Sequence, residues 1–193
     1  MTPRSASVVL AAVLVALGLA APASADIYQH RDQPQDVNDT SAVAPCAGCF
    51  PIGPAPTNRT EDIVRMSVRF DDSGLHLRLG TRSTPRRAPV PGVSWWILTP
   101  SSESYVHVSV DARRNGMVHV DVDGDDPACS DTTATFSLKP RRWTTDISPA
   151  CLEGASWVQV GATTARRSFN DDALVDGLTC CSAPALSPKV RRG

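Results

Sequence analysis

Glutamate and lysine are nearly absent from this chain of 193 residues, which holds only Glu61, Glu103 and Glu153 of the first and Lys139 and Lys189 of the second. With so little glutamate, the pattern places no pair of carboxylates at the separation a glycosidase needs. The sequence also lacks G-x-S-x-G, H-E-x-x-H and any phosphate-cradling glycine loop, the usual marks of esterases, zinc peptidases and nucleotide-binding enzymes. No apolar run reaches the roughly 20 residues of a membrane-spanning helix. A basic excess is missing too, which argues against nucleic acid as a partner.

What is present begins with an export signal. Arg4 gives a positive start, residues 8–21 form a short apolar run, and Ala23-Ser24-Ala25 offers a small-residue cleavage site, so residues 1–25 are read as a signal peptide. The mature chain would start at Asp26, be secreted to the extracellular side, and carry no membrane span and no lipid-bearing cysteine. Without the leader, 168 residues remain, with 18 basic against 20 acidic side chains, a size that suits one domain. Arginine pairs recur at Arg86-Arg87, Arg113-Arg114, Arg141-Arg142, Arg166-Arg167 and Arg191-Arg192. They read as a solvated surface, or together as a face for anionic polymers.

Five prolines between positions 34 and 56 make residues 26–60 an extended arm, because proline fixes its own backbone angle and biases its predecessor toward extension. Residues 61–193 carry the regular pattern. Val64, Met66, Val68 and Phe70 alternate with Arg65, Ser67 and Arg69, and after Asp71-Asp72-Ser73-Gly74 the leucines 75, 77 and 79 alternate with His76 and Arg78, which predicts a hairpin with one buried face. The unbroken Trp95-Trp96-Ile97-Leu98 predicts a strand covered on both sides. Val106, Val108 and Val110 face Val118, Val120 and Val122 across a turn. Valine meets valine only in an even register, which pairs Val110 with Val120 and Asp111 with His119 through a three-residue loop at 114–116. Further strands are expected at 133–138, 142–146 and 157–162, with one helical turn at 148–154. The whole is an all-β antiparallel sandwich, jelly-roll-like, with an extended arm and disulfides.

The alternation over residues 62–69 and 75–79, followed by Cys151-Leu152 and Trp157-Val158-Gln159-Val160-Gly161, resembles uncharacterised secreted β-sandwich proteins of actinobacteria. In outline these are similar to the jelly-roll modules of carbohydrate-binding and DOMON-type proteins. The resemblance spans roughly residues 61–162 and implies a fold rather than an activity.

Export makes the six cysteines a disulfide framework. Cys129 and Cys151 are the expected pair, and Cys46 and Cys49 in the arm are expected to bridge to Cys180 and Cys181, with the pairing open. Asp121, Asp123, Asp125 and Asp126 resemble a calcium loop, but the glycine and the final glutamate are out of place, so no metal and no cofactor are implied. The candidate ligand-binding face is His107, Ser109, Asp111, His119 and Asp121, all on the polar side of the valine hairpin, with Arg82, Arg86 and Arg87 at its rim. No catalytic residues are assigned. The expected function is non-catalytic, either binding an extracellular ligand such as a carbohydrate or envelope component or serving structurally. The alternative is a small extracellular hydrolase using a His/Asp pair.

Overall fold

A computed structural model describes residues 25–39, 53–55, 58–59, 61–83, 92–101, 106–112, 118–122, 127–166, 169–174 and 185–193. Among them run the strands β1 (Ile27–His30), β2 (Asn38–Asp39), β3 (Gly53–Pro54), β4 (Ile63–Asp71), β5 (Gly74–Thr81), β6 (Gly92–Leu98), β7 (Val106–Ala112), β8 (Val118–Val122), β9 (Thr133–Ser137), β10 (Arg142–Ile147), β11 (Trp157–Arg166), β12 (Phe169–Asp172) and β13 (Val190–Arg191). Every ladder is antiparallel. The first sheet has the order β1-β4-β5-β10-β9 and the second β3-β2-β12-β11-β6-β7-β8, with β13 also paired to β11. The protein is a β-sandwich. Its described residues include two short 3-10 turns, Pro127–Cys129 and Ala150–Leu152, and no helix among them is long and apolar enough to cross a membrane.

Alternation explains the layering. Met66, Val68, Phe70, Leu75, Leu77 and Leu79 of the first sheet and Val93, Trp95, Ile97, Val108 and Val160 of the second are buried in one core, each side chain contributing roughly 1.5–3 kcal/mol of burial. Trp95 Nε1 donates to Thr145 Oγ1 at 3.0 Å, a buried hydrogen bond that spans the two layers and satisfies an indole N–H inside an apolar core. Both ends of the proline-rich arm are used as edge strands. β1 closes one edge of the first sheet and β2 with β3 extends the second, while Val37 between them is buried.

The valine hairpin has the even register, with Val110 opposite Val120 and Asp111 opposite His119; its loop at 114–116 lies outside the described residues. Two local readings change. The register shifts between Ile63 and Arg65, so Ile63 takes the buried place and Val64 is only half-buried, as a bulge makes the residues on one side of it change face. In β6 burial alternates, with Trp95 and Ile97 inside while Trp96 and Leu98 are half-buried. On the outer side of the second sheet the ring of His107 stacks on Trp96, with centroids 4.1 Å apart.

The β4–β5 turn needs its glycine. Gly74 has φ +130°, and a Cβ there would run into the carbonyl oxygen of Ile147, so the hairpin and its neighbour β10 meet only because position 74 has no side chain. Cys129 and Cys151 are bridged as expected. Cys129 precedes β9 and Cys151 follows β10, so the bond ties the open end of that hairpin. Cys46, Cys49, Cys180 and Cys181, and Asp123, Asp125 and Asp126, fall outside the described residues.

Candidate functional site

The outward side of the first sheet is assembled by register. Arg65 on β4 stands opposite Gly80 on β5, and Gly80 opposite Arg142 on β10. In the next row Gln29 of β1, Ser67 of β4 and Arg78 of β5 lie side by side. Strands are about 4.8 Å apart, so Arg65 and Arg142 start roughly 10 Å from each other with a single glycine between them. The missing side chain at position 80 is filled from the neighbouring strand, because a Cβ on Gly80 would lie 3.0 Å from Arg65 Cγ and 3.1 Å from its Nε. Arg65 therefore lies flat across β5 toward Arg142. Arg31, just beyond β1, closes the other side.

These residues line a groove of about 410 Å³. Arg31, Arg65, Arg78 and Arg142 all contribute to it, with His30 and Gln29, and none of its described lining residues is acidic. The described guanidinium groups that do pair with carboxylates lie elsewhere: Arg69 with Asp71 at 2.7 Å and Arg82 with Asp62 at 3.2 Å. Arg142 Nε is buried and has no hydrogen-bond partner among the described residues. Four cations on one concave wall, with no acid among its described lining residues, create a positive potential that draws anions, and the planar forks of arginine match carboxylate and phosphate oxygens in pairs.

The face nominated from sequence lies on the other sheet. Ser109 stands opposite Asp121 and Asp111 opposite His119, while His107 rests on Trp96. The five residues share one side of β7 and β8, as the alternation requires, and Asp111 folds over Gly92 of β6, where a Cβ would strike its carboxylate. Asp111, His119 and Asp121 are exposed. Of the proposed rim, Arg82 belongs to the first sheet's end, where it holds Asp62, and positions 86 and 87 lie outside the described residues.

A chain of polar contacts not foreseen from sequence borders the groove's sheet. His76 Nδ1 is 2.7 Å from Asp146 Oδ1 and its Nε2 is 2.9 Å from Ser73 Oγ. The order Ser-His-Asp is that of a hydrolytic triad, but the serine proton is already engaged. Ser73 Oγ–H donates to Asp71 Oδ1 at 2.5 Å and Ser73 N–H to the same oxygen at 2.9 Å. The Ser73 hydroxyl is the main cause holding the Asp71 carboxyl down at about 2, opposed by burial and helped by Ser73 N–H, Arg69 and His76. A serine whose hydroxyl and amide both serve a carboxylate is a turn element, with neither a free proton for His76 to take nor an amide left for an oxyanion.

Alternation alone placed Arg65, Arg78 and His76 on the outward side of the first hairpin. Their convergence with Arg142 was not readable, since it depends on β10 pairing with β5 across more than 60 residues of chain. Comparison of the chain with family models, curated proteins and solved structures finds no match, so function has to be read from the chemistry of the site.

Proposed function

We propose that this is a secreted, non-catalytic binding protein whose extracellular ligand is an anionic envelope glycan seated in the arginine groove of the first sheet. The observation that carries the reading is the meeting of Arg65, Arg78, Arg142 and Arg31 on one wall with no acid among the described lining residues. The export signal supplies the compartment, and the mature excess of acid over base speaks for a local anion site rather than a nucleic-acid surface. A polymer bearing carboxylates or phosphates at intervals would cross from β4 to β10, releasing counterions at each arginine.

The test is calorimetric titration of the mature protein with polygalacturonate and with neutral dextran, in chelator, at 50 and 200 mM NaCl. Binding to the polyanion alone, weaker at the higher salt and lost in an Arg65→Ala/Arg78→Ala/Arg142→Ala variant, supports the reading. Equal binding of dextran, or an unaltered triple variant, overturns it. The rival reading, a small hydrolase, draws on the His76–Asp146 contact. It requires ester turnover that disappears in His76→Ala.

A further inference from the structure

Where the arm meets the sandwich, acidic side chains from three parts of the chain converge. Asp32 follows β1 and donates its N–H to Val64 O at 3.3 Å; Gln35 N–H donates to Asp62 Oδ2 at 3.2 Å. From the second sheet, Asp171 of β12 accepts from Ile63 N–H at 2.6 Å, at the start of β4. Asp32 and Asp171 are buried and Asp36 is half-buried, and one carboxylate oxygen of each lies within 4.8 Å of the other two. Three oxygens at that limit have a common centre about 2.8 Å from each, just outside a calcium–oxygen bond of 2.3–2.6 Å, so a small inward shift lets one ion touch all three.

A second observation comes from outside this trio. Asp62 is wholly buried. Its Oδ2 is taken by Gln35 N–H and by Arg82 Nη1, but its Oδ1 is shut off from water with no hydrogen-bond partner among the described residues. Asp62 is set beside the trio by the backbone: Ile63, the next residue, gives its N–H to Asp171 Oδ2 at 2.6 Å, and Gln35, the residue before Asp36, gives its N–H to Asp62 Oδ2 at 3.2 Å. A buried carboxylate oxygen left without a donor is expensive, and beside three more carboxylates the group that would satisfy it is a cation.

We propose that Asp32, Asp36 and Asp171, backed by Asp62, form a calcium site that clamps the N-terminal arm across both sheets. An all-oxygen, carboxylate-rich set selects hard cations over zinc or copper. Ligands drawn from three separate segments suit the adaptable coordination of Ca²⁺ better than the strict octahedron of Mg²⁺. The site accounts for a structural fact: an arm with few apolar residues returns to bury Val37 and to add strands at both edges, which the ion would hold in place.

The experiment uses the mature chain stripped with EDTA and titrated with CaCl₂ by calorimetry, with melting followed in parallel. One Ca²⁺ per chain and a Tm raised by roughly 5–10 °C at a hundredfold excess over Kd are expected, with MgCl₂ binding at least tenfold more weakly. Asp171→Asn keeps the shape but turns one carboxylate oxygen into an amide nitrogen, so the calcium response should vanish, with neither binding heat nor a rise in Tm over the EDTA-treated sample. Asp171 accepts from Ile63 N–H and Asp172 N–H, so a purely structural role would lower Tm in EDTA and in CaCl₂ alike and leave the calcium-induced shift in place. No heat and no Tm shift in the unaltered protein, or a calcium shift retained in Asp171→Asn, overturns the proposal. Should Asp171→Asn not fold, Asp36→Asn, at a half-buried position, is held to the same two outcomes.

Discussion

Replacing Gly80 by alanine separates the groove from the fold. The added Cβ would meet Arg65 at 3.0 Å from Cγ and 3.1 Å from Nε, tight contacts with a long, exposed side chain rather than with backbone. Arg65 escapes by rotating off the sheet toward water, at a cost of about 1 kcal/mol or less. The backbone at position 80 is not in the left-handed region, so alanine also restricts the unfolded chain and returns roughly 0.4–1 kcal/mol. Stability should therefore stay within about 1 kcal/mol of the original, a Tm change of at most about 4 °C. Binding should suffer more, because the rotated Arg65 no longer faces Arg142. The loss of one charge-assisted contact in a wet groove sits at the low end of its usual range, about 1.5 kcal/mol, or a roughly tenfold weaker Kd. Calorimetry with polygalacturonate at 50 mM NaCl and circular-dichroism melts on the same samples measure both quantities. If Gly80→Ala binds like the original while Arg65→Ala binds weakly, the notch has no role in setting Arg65. A stability loss above about 3 kcal/mol would instead make Gly80 a packing position.

Two more outcomes can be checked. The Cys129–Cys151 bond closes a stretch with a sequence separation of 22, which in the chain-entropy treatment stabilises by about 3 kcal/mol; a Cys129→Ala/Cys151→Ala variant should unfold at a clearly lower urea midpoint, and an unchanged midpoint would refute the estimate. Asp71, held down at about 2 from an ordinary 3.8, stabilises the fold when ionised, a contribution complete above the unfolded value and lost as pH falls through about 2. Ser73→Ala removes the largest cause of that depression, so it should lower Tm at pH 6 and flatten the further fall between pH 4 and pH 2, whereas parallel acid limbs for the two proteins would refute the assignment.

The places where local pattern succeeded and failed follow from the range of the forces involved. Alternation read the β4–β5 hairpin and the register of Val110 with Val120, because side chains one strand apart must share a face whatever lies beyond. It missed the bulge at Val64, where the Ile63 N–H is held by Asp171 of β12, more than 100 positions away in sequence. It also overstated the burial of Trp96. A continuous apolar run reports hydrophobicity but cannot say whether a further layer exists to cover it, and here one histidine ring does that work in part.

The candidate sites divide in the same way. His107, Ser109, Asp111, His119 and Asp121 were placed together correctly as one side of a hairpin, a nearest-neighbour relation. Arg142 was visible only as half of an arginine pair, and Asp32, Asp36 and Asp171 carried no local signal, since their spacing in sequence is unrelated to their separation in space.

Composition and periodicity by themselves determined that the chain is built of strands in two layers, which positions face inward away from the bulge and from Trp96, and that Cys129 and Cys151 pair. These depend on the two-residue period of a strand and on contacts between close neighbours in sequence. Tertiary structure alone decided that β10 lies against β5, which gathers four arginines around a glycine, and that the arm returns to β12, which packs carboxylates together. Such arrangements come from burying the apolar sides of distant segments in a single core, and the polar residues carried along meet wherever that packing sets them.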